Sequence, residues 1–400
     1  MVDRKLNQKL DTHLAKHDLT KSEITKRSLM KHATDVFVIG GGPAGLATAI
    51  AARQHGLSVT VADGSRPPVD KPCGEGLMPD GRAALAELGI SVPAEVSHPF
   101  RGIRFVSGGK NIQASFPGGY GVGVRRTTLH ALMIERAQSV GVSLLWETPV
   151  TGLLFNGVQL GSQFVPARWI VGADGGSSLV RRWAGLDHFL KDRTRFAFRR
   201  HYHVAPWSDY MELHWGSGSQ IYITPVASDE VCVALVSGDP HLRLDNALAA
   251  FPQVAMRLRN AAISSPERGA ISSTRKLRRV YRDNIALVGD ASGAVDAITG
   301  EGLCLSFRQA QKLAQCFATG DLRPYQQQHR SLARRPMLMA SLMLALGWKD
   351  SLRRQVMRAF ESDTTLFARM LAMHVGDSSS LDFAGNGLAL GWRLIAGGAK

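Results

Sequence analysis

A glycine-rich turn near the start of the sequence has the spacing that binds a pyrophosphate. In the pattern G-x-G-x-x-G, Gly40 permits a tight turn, Gly42 lets the backbone approach a phosphate, and Gly45 allows close helix packing. Pro43 and Ala44 lie at the start of a predicted helix, whose free N–H groups and partial positive charge favour an anion. The turn therefore predicts a bound dinucleotide.

The elements around this turn form a β-α-β unit. A β-branched and aromatic run at 35–39 is typical of a buried strand, a helical pattern follows over 46–55, and a second strand is predicted at 57–62. Asp63 ends the second strand, where a carboxylate can accept a hydrogen bond from a ribose hydroxyl. Together these features support dinucleotide binding more strongly than the glycines alone.

Three later segments also combine a predicted strand or helix with a polar residue at its end. Asp174-Gly175 and Gly289-Asp290 each follow an apolar run, and their glycines allow the backbone to pack against a planar ring. Arg126 precedes an amphipathic helix, and its guanidinium suits a phosphate. Taken singly, each segment could equally be a strand, turn and helix of no special purpose.

In their order along the chain, these four segments resemble the motifs of flavoproteins with the para-hydroxybenzoate hydroxylase fold. The resemblance implies FAD as the cofactor, with Asp290 against its ribityl chain and the following helix N-terminus facing the flavin. The implied fold class is α/β: a Rossmann-like FAD-binding domain with a mixed, mainly parallel sheet. An inserted antiparallel-sheet substrate domain and a C-terminal helical region complete it.

Two segments favour one branch of this superfamily. The chain reads GDASG at 289–293 and TGEGL at 299–303, which is similar to the G-D-A-A-G and T-G-E-G-I of geranylgeranyl-reductase-like enzymes. Aromatic hydroxylases instead usually carry a histidine after G-D-A-A. The resemblance therefore adds Gly300, Glu301 and Gly302 to the predicted cofactor-binding residues.

Cys73 is the candidate catalytic residue. Its segment, KPCGEGLMP at 71–79, stands where reductase-like members carry a cysteine-glycine loop close to the flavin. Because Lys71 and glycine N–H groups flank the thiol, we expect a lowered pKa and a role as thiolate, proton donor or flavin contact. The alternative is a small buried cysteine in a rigid loop.

Alternating apolar residues at 96–119 and 186–274 predict an antiparallel sheet that covers the substrate. The stretch QIYITP at 220–225 stands where the reductase branch often shows Y-x-W-x-F-P. Tyr222 and Pro225 are therefore candidate substrate contacts, and the altered pattern leaves prenyl specificity open.

His201 and His203 have the H-x-H spacing of a metal-binding pair. Alternation along a strand places both on one face. With no third ligand nearby in the sequence, we expect a solvent-exposed face here and assign no metal.

The composition is that of a globular protein with an excess of positive charge. The 400 residues are 44% hydrophobic and 20% charged, with a formal net charge of +15. A polyanion, an anionic membrane or an acidic ligand could accept this charge. Nucleic acid is the least favoured of these because no nucleic-acid-binding motif is present.

A Met- and Leu-rich run at 336–348 is too short to cross a membrane, which needs about 20 residues. Basic residues flank it and could rest on anionic lipid while the enzyme takes an apolar substrate from the bilayer. The alternative is an amphipathic helix packed on the FAD-binding domain with a solvated basic face. The flanking residues are Arg330, Arg334, Arg335, Arg353, Arg354 and Arg358.

Cysteine usage and the N-terminal sequence favour a cytoplasmic enzyme, with contact at the inner face of the membrane left open. The four cysteines form no C-x-x-C pair and are too sparse for a secreted disulfide scaffold. Residues 1–33 are polar, carry both charge signs and lack the apolar region of a signal peptide. We interpret them as a surface extension.

The motifs divide the chain into four regions. These are an extension (1–33), a discontinuous FAD-binding domain (34–95, 120–185 and 275–330), a substrate domain (96–119 and 186–274) and a C-terminal helical region (331–400).

The leading functional hypothesis is a geranylgeranyl-reductase-like oxidoreductase that transfers hydride from reduced FAD to an apolar isoprenoid or polyketide-like substrate. One alternative is a group A type monooxygenase that hydroxylates an aromatic or polyketide-like compound. Another is a flavin electron-transfer protein without catalytic activity. Because no second G-x-G-x-x-G follows a strand, we expect no dedicated nicotinamide domain. The resemblance implies that NADPH or NADH docks transiently as electron donor, and another carrier is the alternative.

Overall fold

The structure is a computed structural model that describes residues 34–154 and 156–376. The predicted extension at 1–33 lies outside the described residues, as does the end of the predicted C-terminal region.

Strands in the described residues fall into three sheets. In chain order they are β1 (Thr34–Ile39), β2 (Val59–Ala62), β3 (Gly76–Leu77), β4 (His98–Phe100), β5 (Gly102–Ser107), β6 (Lys110–Ser115), β7 (Gly121–Gly123), β8 (Ser143–Leu145), β9 (Gly152–Leu154), β10 (Gly157–Leu160), β11 (Gln163–Gly172), β12 (Phe189–His203), β13 (Tyr210–Trp215), β14 (Ser219–Ala227), β15 (Glu230–Ser237), β16 (Ala262–Ile263), β17 (Arg268–Leu277), β18 (Tyr281–Arg282), β19 (Ile285–Leu287) and β20 (Gly293–Ala294).

The helices lie between and after these strands. They are α1 (Pro43–Gln54), α2 (Pro79–Glu87), α3 (Arg126–Ser139), α4 (Leu179–Trp183), α5 (Leu244–Ala247), α6 (Pro252–Leu258), α7 (Gly302–Thr319), α8 (Arg323–Trp348), α9 (Asp350–Ser362) and α10 (Thr364–His374). Short 3₁₀ turns occur at Ala94–Val96, Leu248–Ala250, Gly289–Ser292 and Ala297–Thr299.

The first sheet carries the predicted β-α-β unit. Its order is β18-β19-β11-β1-β2-β8, and every pair from β19 to β8 is parallel. Val36, Phe37 and Val38 of β1 are fully buried because both faces of this strand are covered. Helix α1 packs closely since its buried face is rich in alanine, including Ala47 and Ala49. The mainly parallel sheet of the predicted fold class is confirmed.

The second sheet has the order β20-β17-β12-β15-β14-β13-β5-β6. It is antiparallel as predicted, except that β13 pairs with β5 in parallel. One face packs on α5 and α6 through residues such as Phe198, Val233 and Leu244. Strands β3, β7 and β4 form a third, small sheet.

The C-terminal helices α8, α9 and α10 cover the other face of the second sheet. The Phe367 ring of α10 lies 4.9 Å from that of Phe105 on β5, and Leu344 and Phe360 join the same cluster. No helix in the described ranges is long and apolar enough to span a membrane.

Two of the flanking arginines face inward rather than towards solvent. The buried Arg353 bonds to Asp350 and to Ser107 of β5, and the half-buried Arg335 points to Asp80 and Glu301. The other four flanking arginines are exposed, so the basic face is solvated except at these two positions.

Candidate active site

The glycine turn has the backbone geometry that its sequence predicts. Gly40 adopts a φ of +110°, and a Cβ there would lie 2.4 Å from the Ala173 carbonyl oxygen. A Cβ on Gly45 would lie 1.9 Å from the Gly40 oxygen, so close packing requires glycine. At Gly42, by contrast, a Cβ would meet no described atom within 4 Å. Gly42 thus borders open space directly before α1.

Asp63 closes this turn from the end of β2. Its Oδ2 accepts a 2.7 Å hydrogen bond from the Gly41 N–H, and its Oδ1 accepts one from the Ser65 N–H. A carboxylate keeps further lone pairs after two such bonds, so it can still accept from a hydroxyl.

His130 also holds the turn, and the sequence analysis missed it. Val69 N–H donates to its Nδ1 at 2.9 Å, so Nε2 carries the proton and donates to the Gly41 carbonyl at 2.7 Å. Burial lowers the pKa of this imidazole, which favours the neutral form. The only sequence signal is its position one turn into the predicted helix after Arg126.

Asp174 of the D-G segment acts within the protein. Its Oδ2 accepts from the backbone N–H groups of Leu179 and Val180, and its Oδ1 accepts from the Ser178 hydroxyl. These bonds hold the start of α4. Gly175 adopts a φ of +81°, as a turn at this point requires.

Arg181 joins the D-G and G-D segments, a role that the sequence analysis did not predict. Its guanidinium donates to the Gly176 carbonyl at 3.0 Å and to the Ala291 carbonyl at 3.2 Å. Arg275 bonds to the same Gly176 carbonyl at 2.7 Å. The two acidic segments are therefore fixed relative to each other.

The G-D segment lies directly against the glycine turn. Gly289 adopts a φ of +60°, and its N–H donates to Gln309 Oε1 at 3.0 Å. Desolvation by the surrounding protein raises the pKa of the Asp290 carboxyl. The positive charges of Lys71 and Arg275 oppose that rise.

The T-G-E-G segment forms the turn into α7. Gly300 adopts the left-handed conformation, and Gly302 begins the 18-residue helix with open space where a side chain would be. Glu301 is buried beside Arg335 and His374, and burial raises the pKa of its carboxyl. Its side chain therefore contacts two C-terminal helices, through Arg335 of α8 and His374 of α10.

Arg126 is buried at the first turn of α3, and its backbone N–H donates to Glu75 Oε1 at 2.9 Å. Among the described residues its Nη1 has no hydrogen-bond partner. A buried cationic donor without a partner is costly unless a ligand satisfies it. This orphaned donor and the open space at Gly42 fit a cofactor that carries phosphates.

The surroundings of Cys73 shift the pKa of its thiol in the direction opposite to the one predicted from the sequence. Its Sγ accepts from the Glu75 N–H at 3.4 Å. Burial, and then the Glu75 carboxylate, raise the pKa of the thiol, while Arg126 and Arg199 oppose the rise. Lys71 points instead towards Gly175. The expectation of a lowered pKa is therefore wrong, and the thiol form is favoured.

His201 is buried on β12, so the expected solvent-exposed face is wrong at this position. His203 does remain exposed. Within the described ranges, one cluster brings potential metal ligands together: Glu75, His201 and Cys232 have such atoms within 4.8 Å of one another. His201 Nε2 already bonds to Glu75 at 2.6 Å, and Arg199 lies alongside. We assign no metal to this cluster.

An apolar cavity lies between the second sheet and the C-terminal helices. Met211 and Leu213 of β13 line it from the sheet, and Met343 of α8 lines it from the helices. Thr299 of the T-G-E-G segment also lines it. Tyr222 also lines the cavity.

The two candidate substrate contacts have different surroundings. The Tyr222 hydroxyl donates to the Ile298 carbonyl at 2.5 Å, and burial raises the pKa of this phenol well above its usual value. Pro225 is buried with its carbonyl against Gly123 of β7 and does not line the cavity.

Comparison with known proteins identifies the class to which this fold and site belong. The sequence profile of the FAD binding domain family matches residues 33–320, and the chain belongs to this family. It is an FAD-dependent oxidoreductase, and the predicted FAD cofactor is confirmed. The resemblance to flavoproteins of the para-hydroxybenzoate hydroxylase fold is confirmed as well, and proteins named as geranylgeranyl-type reductases are among the relatives and structural neighbours.

Individual relatives are similar over most of the chain. Menaquinone reductase of Mycobacterium tuberculosis is 28% identical over 72% of this chain and 78% of its own length. Digeranylgeranylglycerophospholipid reductase of Methanocella arvoryzae is 26% identical over 73% of this chain and 80% of its own. A flavoprotein/dehydrogenase from Cytophaga hutchinsonii has a similar fold, with a TM-score of 0.74, 21% identity, and coverage of 86% of this chain and 93% of its own.

Proposed function

We propose that this enzyme is a reductase that transfers hydride from reduced FAD to an isoprenoid or similarly apolar, polyketide-like substrate bound in the apolar cavity. One observation carries the proposal: the cavity is lined by methionine and leucine side chains and also by Thr299, in the segment that leads into α7. Two relatives are named as reductases of menaquinone and of a geranylgeranyl lipid.

The residues that would hold FAD surround the glycine turn and the start of α7. Gly40, Gly42, Pro43, Ala44 and Gly45 would shape the phosphate site, where the N-terminus of α1 favours negative charge. When bound and reduced, the cofactor supplies a hydride. The other proposed cofactor contacts are Asp63, Arg126, Asp174, Gly175, Gly289, Asp290, Gly300, Glu301 and Gly302.

Asp174 and Glu301 would act on the cofactor through the backbone that they fix. Asp174 uses both carboxylate oxygens at the start of α4, and Glu301 is buried against Arg335. NADPH or NADH would dock transiently as electron donor, with the positive charge of the chain favouring a phosphorylated carrier.

We further propose that the substrate enters from a lipid surface. Leu342 of α8 lines the cavity and is 41% exposed, and Leu338, one turn earlier, is 39% exposed. The exposed Arg334 lies one further turn back on the same helix. Exposed leucines beside a basic residue suit the interface of an anionic membrane.

Anaerobic single-turnover kinetics test the reductase proposal. The FAD-loaded enzyme is reduced with dithionite and mixed with a menaquinone or a geranylgeranyl lipid, and the return of oxidised flavin absorbance is followed. We expect reoxidation that saturates with substrate, together with a product carrying two added hydrogens. Reoxidation only by oxygen, coupled to a hydroxylated aromatic product, would favour the monooxygenase alternative. Reoxidation only by another redox protein would favour the electron-transfer alternative.

A cavity-filling variant locates the substrate. Met343→Trp should slow reoxidation by substrate at least tenfold while FAD stays bound, because the larger ring fills the apolar cavity. Ser341→Trp, exposed on the same helix and outside the cavity lining, is the matched control and should react like the wild type. Equal rates for both variants would place the substrate elsewhere.

Flotation with anionic phospholipid vesicles tests the entry route. The wild type should float with the vesicles, and Leu338→Glu/Leu342→Glu should not, because glutamate at both positions opposes insertion and repels anionic headgroups. Unchanged flotation of the double variant would refute this membrane face.

A further inference from the structure

His374 is a polar side chain in the lining of the apolar cavity. It is the last residue of α10 and is buried at 5% exposure. Its Nε2 lies 3.0 Å from the carbonyl oxygen of Thr299, which lines the same cavity. Because a carbonyl oxygen can only accept, Nε2 carries a proton and donates it to this bond. An N–H group therefore lies between two residues of the cavity lining.

The other ring nitrogen of His374 faces a carboxyl group. Its Nδ1 lies 3.5 Å from Oε2 of Glu301, which is buried at 2% exposure. Among the described residues, neither of these two atoms has a hydrogen-bond partner. A neutral imidazole protonated at Nε2 has only a lone pair at Nδ1, and an ionised carboxylate also has only lone pairs. Two buried acceptors that face each other are costly, and one proton between them satisfies both.

The charges around this pair also favour one shared proton. Arg335 of α8 lies 3.5 Å from Glu301 Oε1 and 3.6 Å from Asp80 Oδ2 of α2, and Cys304 of α7 donates to the same Asp80 oxygen at 3.1 Å. One guanidinium therefore faces two carboxyl groups. Burial raises the pKa of the Glu301 carboxyl, while His374 and Arg335 oppose the rise and Asp80 adds to it. A proton shared with His374 leaves Asp80 as the carboxylate that Arg335 neutralises.

We infer that Glu301 and His374 hold one proton between them and that His374 is the proton donor to a substrate in the cavity. The inference rests on the proposed function for the chemistry of the step. Thr299 precedes Gly300, a proposed cofactor contact, so hydride and proton would reach the substrate from neighbouring residues.

The proposed step balances in atoms and electrons. Hydride from the reduced cofactor adds to one carbon of the substrate double bond, and the proton of His374 Nε2 adds to the other carbon. His374 then keeps the shared proton on Nδ1, facing the ionised Glu301. Nε2 regains a proton from solvent, which restores the starting pair.

The first test detects the shared proton in the oxidised, FAD-loaded enzyme at neutral pH, without substrate. Infrared difference spectra against Glu301→Gln show a protonated carboxyl group at this position. The ¹⁵N NMR spectrum of the histidine rings, compared with that of His374→Gln, shows whether His374 is an imidazolium. We expect the two signals together to account for one proton. Absence of both signals would overturn the inference.

The second test follows anaerobic reoxidation of the dithionite-reduced enzyme by menaquinone or a geranylgeranyl lipid. His374→Ala should lower the rate at saturating substrate at least about a hundredfold, the effect of losing a general acid, and added imidazole should restore about tenfold. Ferricyanide takes electrons without a proton from the enzyme, so it should reoxidise the variant as fast as the wild type. In the wild type, the rate with lipid should fall as the pH rises and the shared proton is lost, which needs no variant to fold.

Three kinetic results contradict the role of His374. They are an unchanged limiting rate in His374→Ala, an equal loss of the ferricyanide reaction, and a wild-type rate that does not fall with rising pH. Failure of the proposed function is distinguishable, because neither lipid would then reoxidise the wild type although the shared proton is detected. If a lipid does reoxidise it but no shared proton is found, only the present inference fails.

Discussion

Ala44 lies against Gly289, so that a Cβ built on Gly289 would come within 2.6 Å of the Ala44 Cβ. Ala44 lies in the first turn of α1, and Gly289 begins the 3₁₀ turn that follows β19. Because β19, β11 and β1 are parallel neighbours, their carboxyl ends meet at one edge of the sheet. This contact brings the two cofactor segments together.

Gly42→Val should abolish retention of FAD while leaving the protein folded. A Cβ at Gly42 meets open space in the protein itself, so the side chain would conflict only with a ligand. Gly238→Val is the matched control, since it also adds a side chain in open space but lies in an exposed turn after β15. The flavin to protein ratio after purification checks both variants. A yellow Gly42→Val protein would show that the phosphates lie elsewhere.

Arg126→Met should weaken FAD binding about 10- to 100-fold, since a charged hydrogen bond contributes about 1.5–3 kcal/mol. Its buried Nη1 is otherwise without a partner in the described part of the chain. The neighbouring Arg125 pairs with Glu230 of β15 at 2.8 Å, so Arg125→Met should keep FAD affinity and lower only thermal stability. Fluorescence titration of the apoprotein with FAD measures the difference. Equal affinity in Arg126→Met and the wild type would remove this contact.

His329→Gln should reduce the loss of stability in acid. His329 Nε2 accepts from the Gln309 amide at 3.0 Å, and burial lowers the pKa of the imidazole to about 4. The unfolded chain binds this proton below about 6.5, so the wild type loses up to about 3 kcal/mol as the pH falls from 6.5 to 4. Urea unfolding at several pH values checks the slope. The exposed His241→Gln should leave it unchanged.

Glu301→Gln should become more stable relative to the wild type as the pH rises. Burial raises the pKa of Glu301 above its ordinary 4.5, so the folded protein holds a proton that the unfolded chain has released. The wild type therefore loses stability as the pH rises from about 4.5 through the raised pKa. The difference in unfolding free energy between variant and wild type is measured across this range. Glu135→Gln, an exposed change on α3, should show no such trend, and an equal trend in both would contradict the burial argument.

Local sequence patterns predicted the cofactor and the class of fold because both depend on short segments. The turn at 40–45 needs glycine at positions where a Cβ would strike the backbone, and that requirement is visible in the chain itself. The apolar run of β1 and the alternation of the second sheet were likewise readable. The parallel pairing of β13 with β5 was not, because it joins segments far apart in sequence.

The side-chain environments were harder to predict because distant segments supply them. His130 was missed since its partners, Val69 N and Gly41 O, lie in other loops. His201 was expected to be exposed, yet a strand position alone cannot show that the Cys73 loop covers it. The assignment of FAD-contacting residues stays a prediction for the variants above to test.

The sequence by itself determined that this protein binds FAD, and it predicted the β-α-β turn as the place of binding, because those motifs are local. Tertiary structure alone decided that the pKa of the Cys73 thiol is raised, since burial and the Glu75 carboxylate outweigh Arg126, the Glu75 N–H and Arg199. It also created the apolar cavity, because the cavity forms only when α8 and α10 pack on β13 and β14. Both the pKa of a buried thiol and the shape of a cavity depend on groups that are distant in the sequence, so no single segment encodes them.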